Sequence, residues 1–147
     1  MFAAIDTNVL VYAEGAGDAR RKKIARALLV RLAEDRTVLP VQVLGELYRV
    51  LVGKYRVSVD VAKEALVRWS DTFQVRDSSW PALRSALDLA HAHQLAIWDS
   101  LIICVAAEHR CRVLLSEDLQ EGFSWSGVTV VNPFAERPHV LLEKLLA

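Results

Sequence analysis

The chain has 147 residues, enough for one domain with a well-buried core, and 53% of them are hydrophobic. Its 18 basic and 18 acidic residues cancel, which excludes nucleic-acid binding through overall charge and leaves only a local patch for that purpose. No apolar run is long enough to span a membrane, and the first residues lack the pattern of a signal peptide. We therefore expect a single cytoplasmic domain over residues 1–147.

Short apolar segments alternate along the chain with longer segments of helical periodicity. Five strands are predicted, at residues 2–6, 37–39, 73–76, 112–115 and 128–131, and segment 7–13 is interpreted as an apolar turn. Helices are predicted at residues 18–33, 41–54, 58–69, 79–91, 97–109 and 139–146. This alternation favours an α/β fold, a three-layer α/β/α sandwich around a five-stranded, mostly parallel sheet.

Carboxylates follow two of these strands and interrupt two of the helices. Asp6 closes the first strand, and Asp118 comes after the fourth. Asp99 lies near the start of the most apolar helix, and Glu46 interrupts the apolar pattern of the second. Parallel sheets bind ligands beyond the carboxyl ends of their strands, so these side chains are expected at one edge of the sheet.

Each of these acids has a simpler interpretation when it is taken alone. Asp6 could shape an Asx turn, Asp99 could cap its helix, Glu46 could pair with Arg49, and Asp118 could shape a loop. Four carboxylates at one edge would nevertheless repel one another unless a cation joined them. A hard divalent ion with oxygen ligands, Mg²⁺ above all, fits such a set.

Five segments of the sequence, spread in order over residues 2 to 134, resemble one family. They are AIDTNVLVYA, VQVLGEL, AIWDSLIICVAA, LLSEDLQEG and VVNPF. Together they resemble the PIN domain family, specifically its bacterial VapC-type toxins. The resemblance implies a PIN fold and a metal-dependent endoribonuclease that acts on single-stranded or looped RNA and leaves a 5′-phosphate. It also implies a homodimer and a cognate VapB-type antitoxin that masks the site.

The same resemblance implies roles for individual residues. The catalytic acids would be Asp6, Glu46, Asp99 and Asp118. Mg²⁺, or Mn²⁺ in its place, would be held by Asp6 and Asp99, with Asp118 beside them. Polar side chains that support these acids would be Thr7, Asn8, Ser116 and Glu117. Glycine at position 122 would keep the loop after Asp118 tight by adopting a positive φ.

RNA binding also requires positive charge, and two basic clusters are candidates. The first lies at the start of a predicted helix, where it opposes the helix dipole, and consists of Arg20, Arg21, Lys22 and Lys23. The second lies between two predicted helices and consists of Arg49, Lys54, Tyr55 and Arg56. A solvated face is the alternative for the first cluster. Trp98 could stack a base, but we expect it to pack in the core.

Other predictions concern partners and an alternative function. Segments 47–51 and 59–69 are predicted surfaces for dimerisation or for the antitoxin. Cys104 and Cys111 are predicted to be free thiols in or near the core. The rival function is a catalytically inactive module that binds RNA or serves as a scaffold. The complete acidic set favours the enzyme.

Overall fold

The computed structural model describes all 147 residues and contains one six-stranded sheet. The strands are β1 (Phe2–Ile5), β2 (Thr37–Pro40), β3 (Gln74–Arg76), β4 (Cys111–Leu115), β5 (Ser124–Trp125) and β6 (Val128–Val131). Their order across the sheet is β3-β2-β1-β4-β6-β5. All neighbouring pairs are parallel except β5 and β6, which are antiparallel.

Seven α-helices connect and flank these strands. They are α1 (Thr7–Ala13), α2 (Ala19–Arg31), α3 (Val41–Arg49), α4 (Val59–Thr72), α5 (Trp80–His93), α6 (Ile97–Glu108) and α7 (Val140–Leu146). A short 3-10 turn spans Glu34–Arg36, and a π-helical turn at Val50–Lys54 continues α3. The predicted three-layer α/β/α arrangement with a mostly parallel sheet is confirmed. No helix is both long and apolar enough to cross a bilayer.

The sheet has six strands, so the predicted number of five is wrong by one. The additional strand is β5, which has only two residues and pairs with the start of β6. Two residues are too few to show the period-2 alternation on which strand prediction depends. The available signal was the turn, because Ser126 and Gly127 both have positive φ and join the two strands as a tight hairpin.

Helix α1 begins immediately after β1, where the sequence was interpreted as an apolar turn. Its seven residues are buried at six positions, among them Val9, Leu10 and Val11. A helix buried on nearly all sides has no polar face, so its sequence lacks the amphipathic period that identifies surface helices. The helix takes its N-cap from Asp6, whose side chain accepts a hydrogen bond from the Thr7 N–H.

Strand β1 occupies the centre of the sheet because its residues suit burial on both faces. Ala3, Ala4 and Ile5 are fully buried between β2 and β4. The chain adds β2 and β3 on one side of β1 and then crosses to place β4 on the other side. The carboxyl ends of β1 and β4 therefore meet at the switch point of the sheet, where the Asp6 N–H donates to the Leu115 carbonyl at 2.9 Å.

Burial also decides two predictions about individual side chains. Cys104 and Cys111 are free and buried, as predicted, and burial raises their pKa values to about 11 and about 12. The prediction of a surface at 47–51 is wrong for its leucines, because Leu47 and Leu51 face the core. An amphipathic helix against the sheet has to bury its leucine stripe, and here that stripe serves the core.

Candidate active site

Asp6 lies at the switch point and is almost fully enclosed, with 6% of its surface exposed. One carboxylate oxygen accepts from the Thr7 N–H at 2.7 Å, and the other accepts from the Ser116 hydroxyl at 2.7 Å. Burial nevertheless raises the pKa of Asp6 to about 6, against the effect of these hydrogen bonds, and the charges of Asp118 and Glu46 add to the rise. The carboxylate is held in place but lacks a compensating positive charge.

Asn8 joins the end of β1 to the loop that follows β4. Its amide nitrogen lies 3.4 Å from Asp6 Oδ2 and 3.3 Å from Asp118 Oδ2. Its amide oxygen accepts from the Glu117 N–H at 3.1 Å. The Asn8 side chain thus sets the position of Asp118 relative to Asp6, although the two acids are far apart in sequence.

Glu117 is fixed from two further sides by contacts that the sequence did not predict. The Tyr12 hydroxyl donates to one of its carboxylate oxygens at 2.7 Å, and Arg21 Nε donates to the other at 2.7 Å. Arg21 also pairs with Asp18, and its guanidinium lies over the Tyr12 ring. Burial, together with the neighbouring Glu117, raises the pKa of Tyr12 to about 12. Gly122 has a φ of +82°, as predicted, and closes the loop.

Glu46 approaches the same edge from α3. One of its carboxylate oxygens accepts from the Thr7 hydroxyl at 2.8 Å, and the other accepts from the Gln42 amide at 2.9 Å. The same Gln42 nitrogen donates to the Trp98 carbonyl at 3.0 Å. The pairing of Glu46 with Arg49 that the sequence left open is absent from the ion pairs of the structure. Gln42 was missed, although its spacing of four residues from Glu46 is the usual signal for a helical pair.

Asp99 lies half-buried in the first turn of α6. The helix begins after Ala96 without a side-chain cap, so Asp99 is not the N-cap. Burial raises the pKa of Asp99, and the charges of Glu46 and Asp118 raise it further, with no hydrogen bond acting in the opposite direction. Glu46 and Asp118 are therefore electrostatic neighbours of both Asp6 and Asp99.

None of the four acids has a cationic partner. The three ion pairs of the structure join Arg21 to Asp18 and Glu117, and Arg68 to Glu14. No three metal-ligating side chains are drawn together as a ready-made cage. Mg²⁺ keeps several waters and needs only one or two protein carboxylates, so an all-oxygen set without counter-charges fits this ion.

A cavity of about 290 Å³ opens over two of the acids, Glu46 and Asp118, beside the C-terminal half of α3. Acidic and polar residues form part of its wall, and cationic and aromatic residues form another part. Its polar lining comprises Thr7, Asn8, Tyr12, Glu46, Arg49, Lys54, Tyr55 and Asp118. Arg49, Lys54 and Tyr55 of the second basic cluster thus line the same cavity as Glu46 and Asp118, whereas Arg56 does not line it.

The first basic cluster divides into two pairs of residues. Arg20 donates to the Phe134 carbonyl at 2.9 Å, and Arg21 is held by Glu117 and Asp18. Lys22 is partly buried, and Lys23 is exposed. The RNA-binding role of these four residues stays a prediction, but two of them have structural partners that the sequence did not indicate.

Trp98 is 59% exposed beside Asp99, so the expectation that it packs in the core is wrong. In an α-helix, neighbouring residues point about 100° apart, so the burial of the α6 face against the sheet does not extend to Trp98. Its side chain is directed away from that packed face.

A parallel α/β sheet with carboxylates at its switch point defines a class of ligand-binding or catalytic domains. The model of the PIN domain family matches residues 3–123, so the chain belongs to the PIN domain family. This finding confirms the resemblance seen in the five sequence segments. No curated protein matches the chain.

Several solved structures share the fold. Mycobacterium tuberculosis VapC20, described as a sarcin–ricin-loop-cleaving toxin, is 20% identical with a TM-score of 0.65, over 76% of this chain and 86% of its own. A toxin–antitoxin complex from Klebsiella pneumoniae is 22% identical with a TM-score of 0.63, over 89% and 97%. FitAcB from Neisseria gonorrhoeae is 19% identical with a TM-score of 0.66, over 90% and 99%. What this chain shares with these structures is the fold.

Proposed function

We propose that this protein is a metal-dependent endoribonuclease, the toxin of a VapBC-type toxin–antitoxin pair, acting on cytoplasmic RNA. The main support is the pair Asp6 and Asp99, whose pKa values are raised and which lack any cationic partner at the switch point of a PIN fold. Buried carboxylates without a cationic partner lower the stability of the fold, but they can serve as ligands of a metal ion. The similarity to solved toxins and toxin–antitoxin complexes supports the biological context.

Asp6 and Asp99 would hold Mg²⁺ or Mn²⁺, with Asp118 as a further ligand. When bound, the ion supplies activation of water and neutralisation of charge at the scissile phosphate. Glu46 would complete the acidic pocket, restrained by the Thr7 hydroxyl. Asn8 and Ser116 hold Asp6 and Asp118 in one arrangement, so that little reorganisation is needed when substrate arrives.

The chain's own cations would bind the substrate backbone. Arg49 and Lys54 line the same cavity as Glu46 and Asp118, where they would contact phosphates on one side of the bond being cut. A VapB-type antitoxin and a second copy of the chain are the proposed protein partners. The exposed valines of α4, Val59, Val61 and Val67, offer apolar surface to one of them.

The function is tested by incubating the purified protein with single-stranded RNA and Mg²⁺. Cleavage is expected, and EDTA, Asp6→Asn and Asp99→Asn should each abolish it. Asp71→Asn is the matched control, because Asp71 is an exposed acid on α4 outside the site. Full activity in EDTA would contradict the metal mechanism. Calorimetric titration without divalent-ion binding would favour the inactive RNA-binding or scaffold module.

A further inference from the structure

Trp98 is the most exposed aromatic side chain next to the candidate catalytic acids. It is 59% exposed and takes part in none of the aromatic pairs of the structure. It is also absent from the partly buried side chains that pack against the core. An indole in water forgoes a large amount of apolar burial, so its position is not explained by the stability of the fold.

The backbone of Trp98 is nevertheless fixed relative to the acids. Gln42 Nε2 donates to the Trp98 carbonyl at 3.0 Å and to Glu46 at 2.9 Å, so one amide ties the start of α6 to α3. The Ser100 hydroxyl donates to the Ala96 carbonyl and stabilises the same turn. The Trp98 backbone, one residue from Asp99, is thus held by hydrogen bonds, while its indole is exposed to solvent.

The opposite side of the acidic centre carries the positive charge. Gln42, Glu46 and Arg49 are spaced by four and three residues, so they share one face of α3 over about 10 Å. Arg49 lines the cavity together with Lys54, the last residue of the π-helical turn, and Tyr55, which follows it. Along α3, Gln42, which bonds the Trp98 backbone, and the cavity-lining Arg49 therefore lie on opposite sides of Glu46.

We propose that Trp98 stacks on an unpaired base of the RNA next to the bond that is cut, an inference that rests on the proposed function. Bases of single-stranded RNA expose their π faces, and aromatic side chains are the usual platforms for them. A phosphate beside Trp98 would meet Asp99 and Glu46, whereas a neutral base stacks there without charge repulsion. A strand held in this way would place its backbone over the acids and its next phosphates toward Arg49 and Lys54.

The test compares RNA affinity in an Asp6→Asn background, where cleavage is off, using fluorescence anisotropy of a labelled single-stranded oligonucleotide. Trp98→Ala should weaken binding by roughly 5- to 150-fold, the range for removal of one aromatic stacking partner, and Trp98→Phe should restore most of the affinity. Trp80→Ala is the matched control, because Trp80 is 66% exposed. The hydroxyl of its neighbour Ser79 donates to Glu108 at the far end of α6, about 15 Å from Trp98 along the helix.

A series of oligonucleotides, each with one abasic position, separates stacking from other effects. At one position, loss of the base and Trp98→Ala should weaken binding by the same factor, and the two losses should not add. Losses that add at every position would overturn the proposal. An unchanged RNA affinity of Trp98→Ala would also overturn it. If that variant also formed a smaller oligomer by light scattering, Trp98 would instead be a contact between protein chains.

Cleavage by the unmodified chain distinguishes failure of this inference from failure of the proposed function. If the chain cleaves RNA with Mg²⁺ and Trp98→Ala binds like its parent, only the stacking role is wrong. If the chain neither binds nor cleaves RNA, both are wrong. In cleaving protein, the kinetic counterpart of stacking is a raised KM with a smaller change in kcat.

Discussion

The candidate site consists of two halves that differ in how firmly they are held. The bonded half is formed by Asp6, Asn8, Ser116, Glu117 and Asp118. Asn8 bonds both aspartates and accepts from the Glu117 N–H, and Ser116 bonds Asp6. The Glu117 side chain is held by Tyr12 and Arg21. In the open half, formed by Trp98 and Asp99, the carboxylate has no hydrogen bond acting on its pKa, and the indole is exposed. The side chains of the first half are held in place by the protein. Those of the second half have no such restraint and would be ordered by the proposed metal ion and RNA.

Loss of either acid is the strongest way to test this division. Asp6→Asn and Asp99→Asn should each lower RNA cleavage by on the order of 10³-fold or more, because each would remove a ligand of the ion. The halves should separate in a second measurement. At pH 8 without divalent ions, Asp6→Asn should raise the unfolding free energy more than Asp99→Asn, because Asp6 is the more deeply buried. Equal stabilities of the two variants would break the distinction.

The pH dependence of stability follows from the raised pKa of Asp6. A pKa of about 6 in the folded chain exceeds the ordinary value, so the native state binds more protons than the unfolded state between about pH 4 and 6. Stability contributed by the protonated carboxyl is therefore lost as pH rises through 6. Without divalent ions, Asp6→Asn should be more stable than the parent by on the order of 2–3 kcal/mol at pH 8, with no difference near pH 4.

Urea unfolding of both proteins at the two pH values measures this effect. Mg²⁺ provides the control, since it should stabilise the parent at pH 8 and leave Asp6→Asn nearly unchanged. A parent that is the more stable protein at pH 8 in EDTA would contradict the buried, uncompensated charge.

Asn8 links Asp6, Asp118 and Glu117, so its removal should leave the bonded half less firmly held. Asn8→Ala should lower cleavage by about 10- to 100-fold, the usual cost of removing a partner that orients metal ligands. It should also lower the unfolding free energy by about 1–3 kcal/mol, because the buried Asp6 and the Glu117 N–H lose a partner. Gln120→Ala, an exposed change in the same loop, should alter neither quantity.

Arg21 should have the smallest effect, and a distinctive one. Arg21→Gln frees Glu117 on one side while Tyr12 still holds the other, so we expect cleavage to fall by about tenfold or less. The salt dependence of RNA affinity should stay unchanged, because this arginine is already paired within the protein. Charge reversal at Lys22 and Lys23 should reduce that dependence if they contact phosphates. If Arg21→Gln lowers the salt dependence of RNA affinity, Arg21 contacts the RNA after all.

The sequence predicted the bonded half better than the open one. Acids at the ends of parallel strands are brought together by sheet topology, so the alternation of strands and helices along the chain was enough to predict Asp6 and Asp118 at one edge of the sheet. Hydrogen bonds such as that from Arg21 to Glu117 depend on helix orientation, which no local pattern encodes. The exposure of Trp98 was missed for the same reason. Its large apolar side chain favours burial, and only the rotation of α6 about its axis decides whether it is exposed.

The bond from Ser116 to Asp6 spans 110 residues of sequence and has a consequence for the synthesis of this protein. Strand β1 and its acid leave the ribosome well before β4 and Asp118. The bonded half cannot form on a nascent chain until residue 118 has emerged and the intervening segment allows β4 to pair with β1. The arrangement of acids that the proposed activity needs is therefore absent from the growing chain until β4 has folded beside β1.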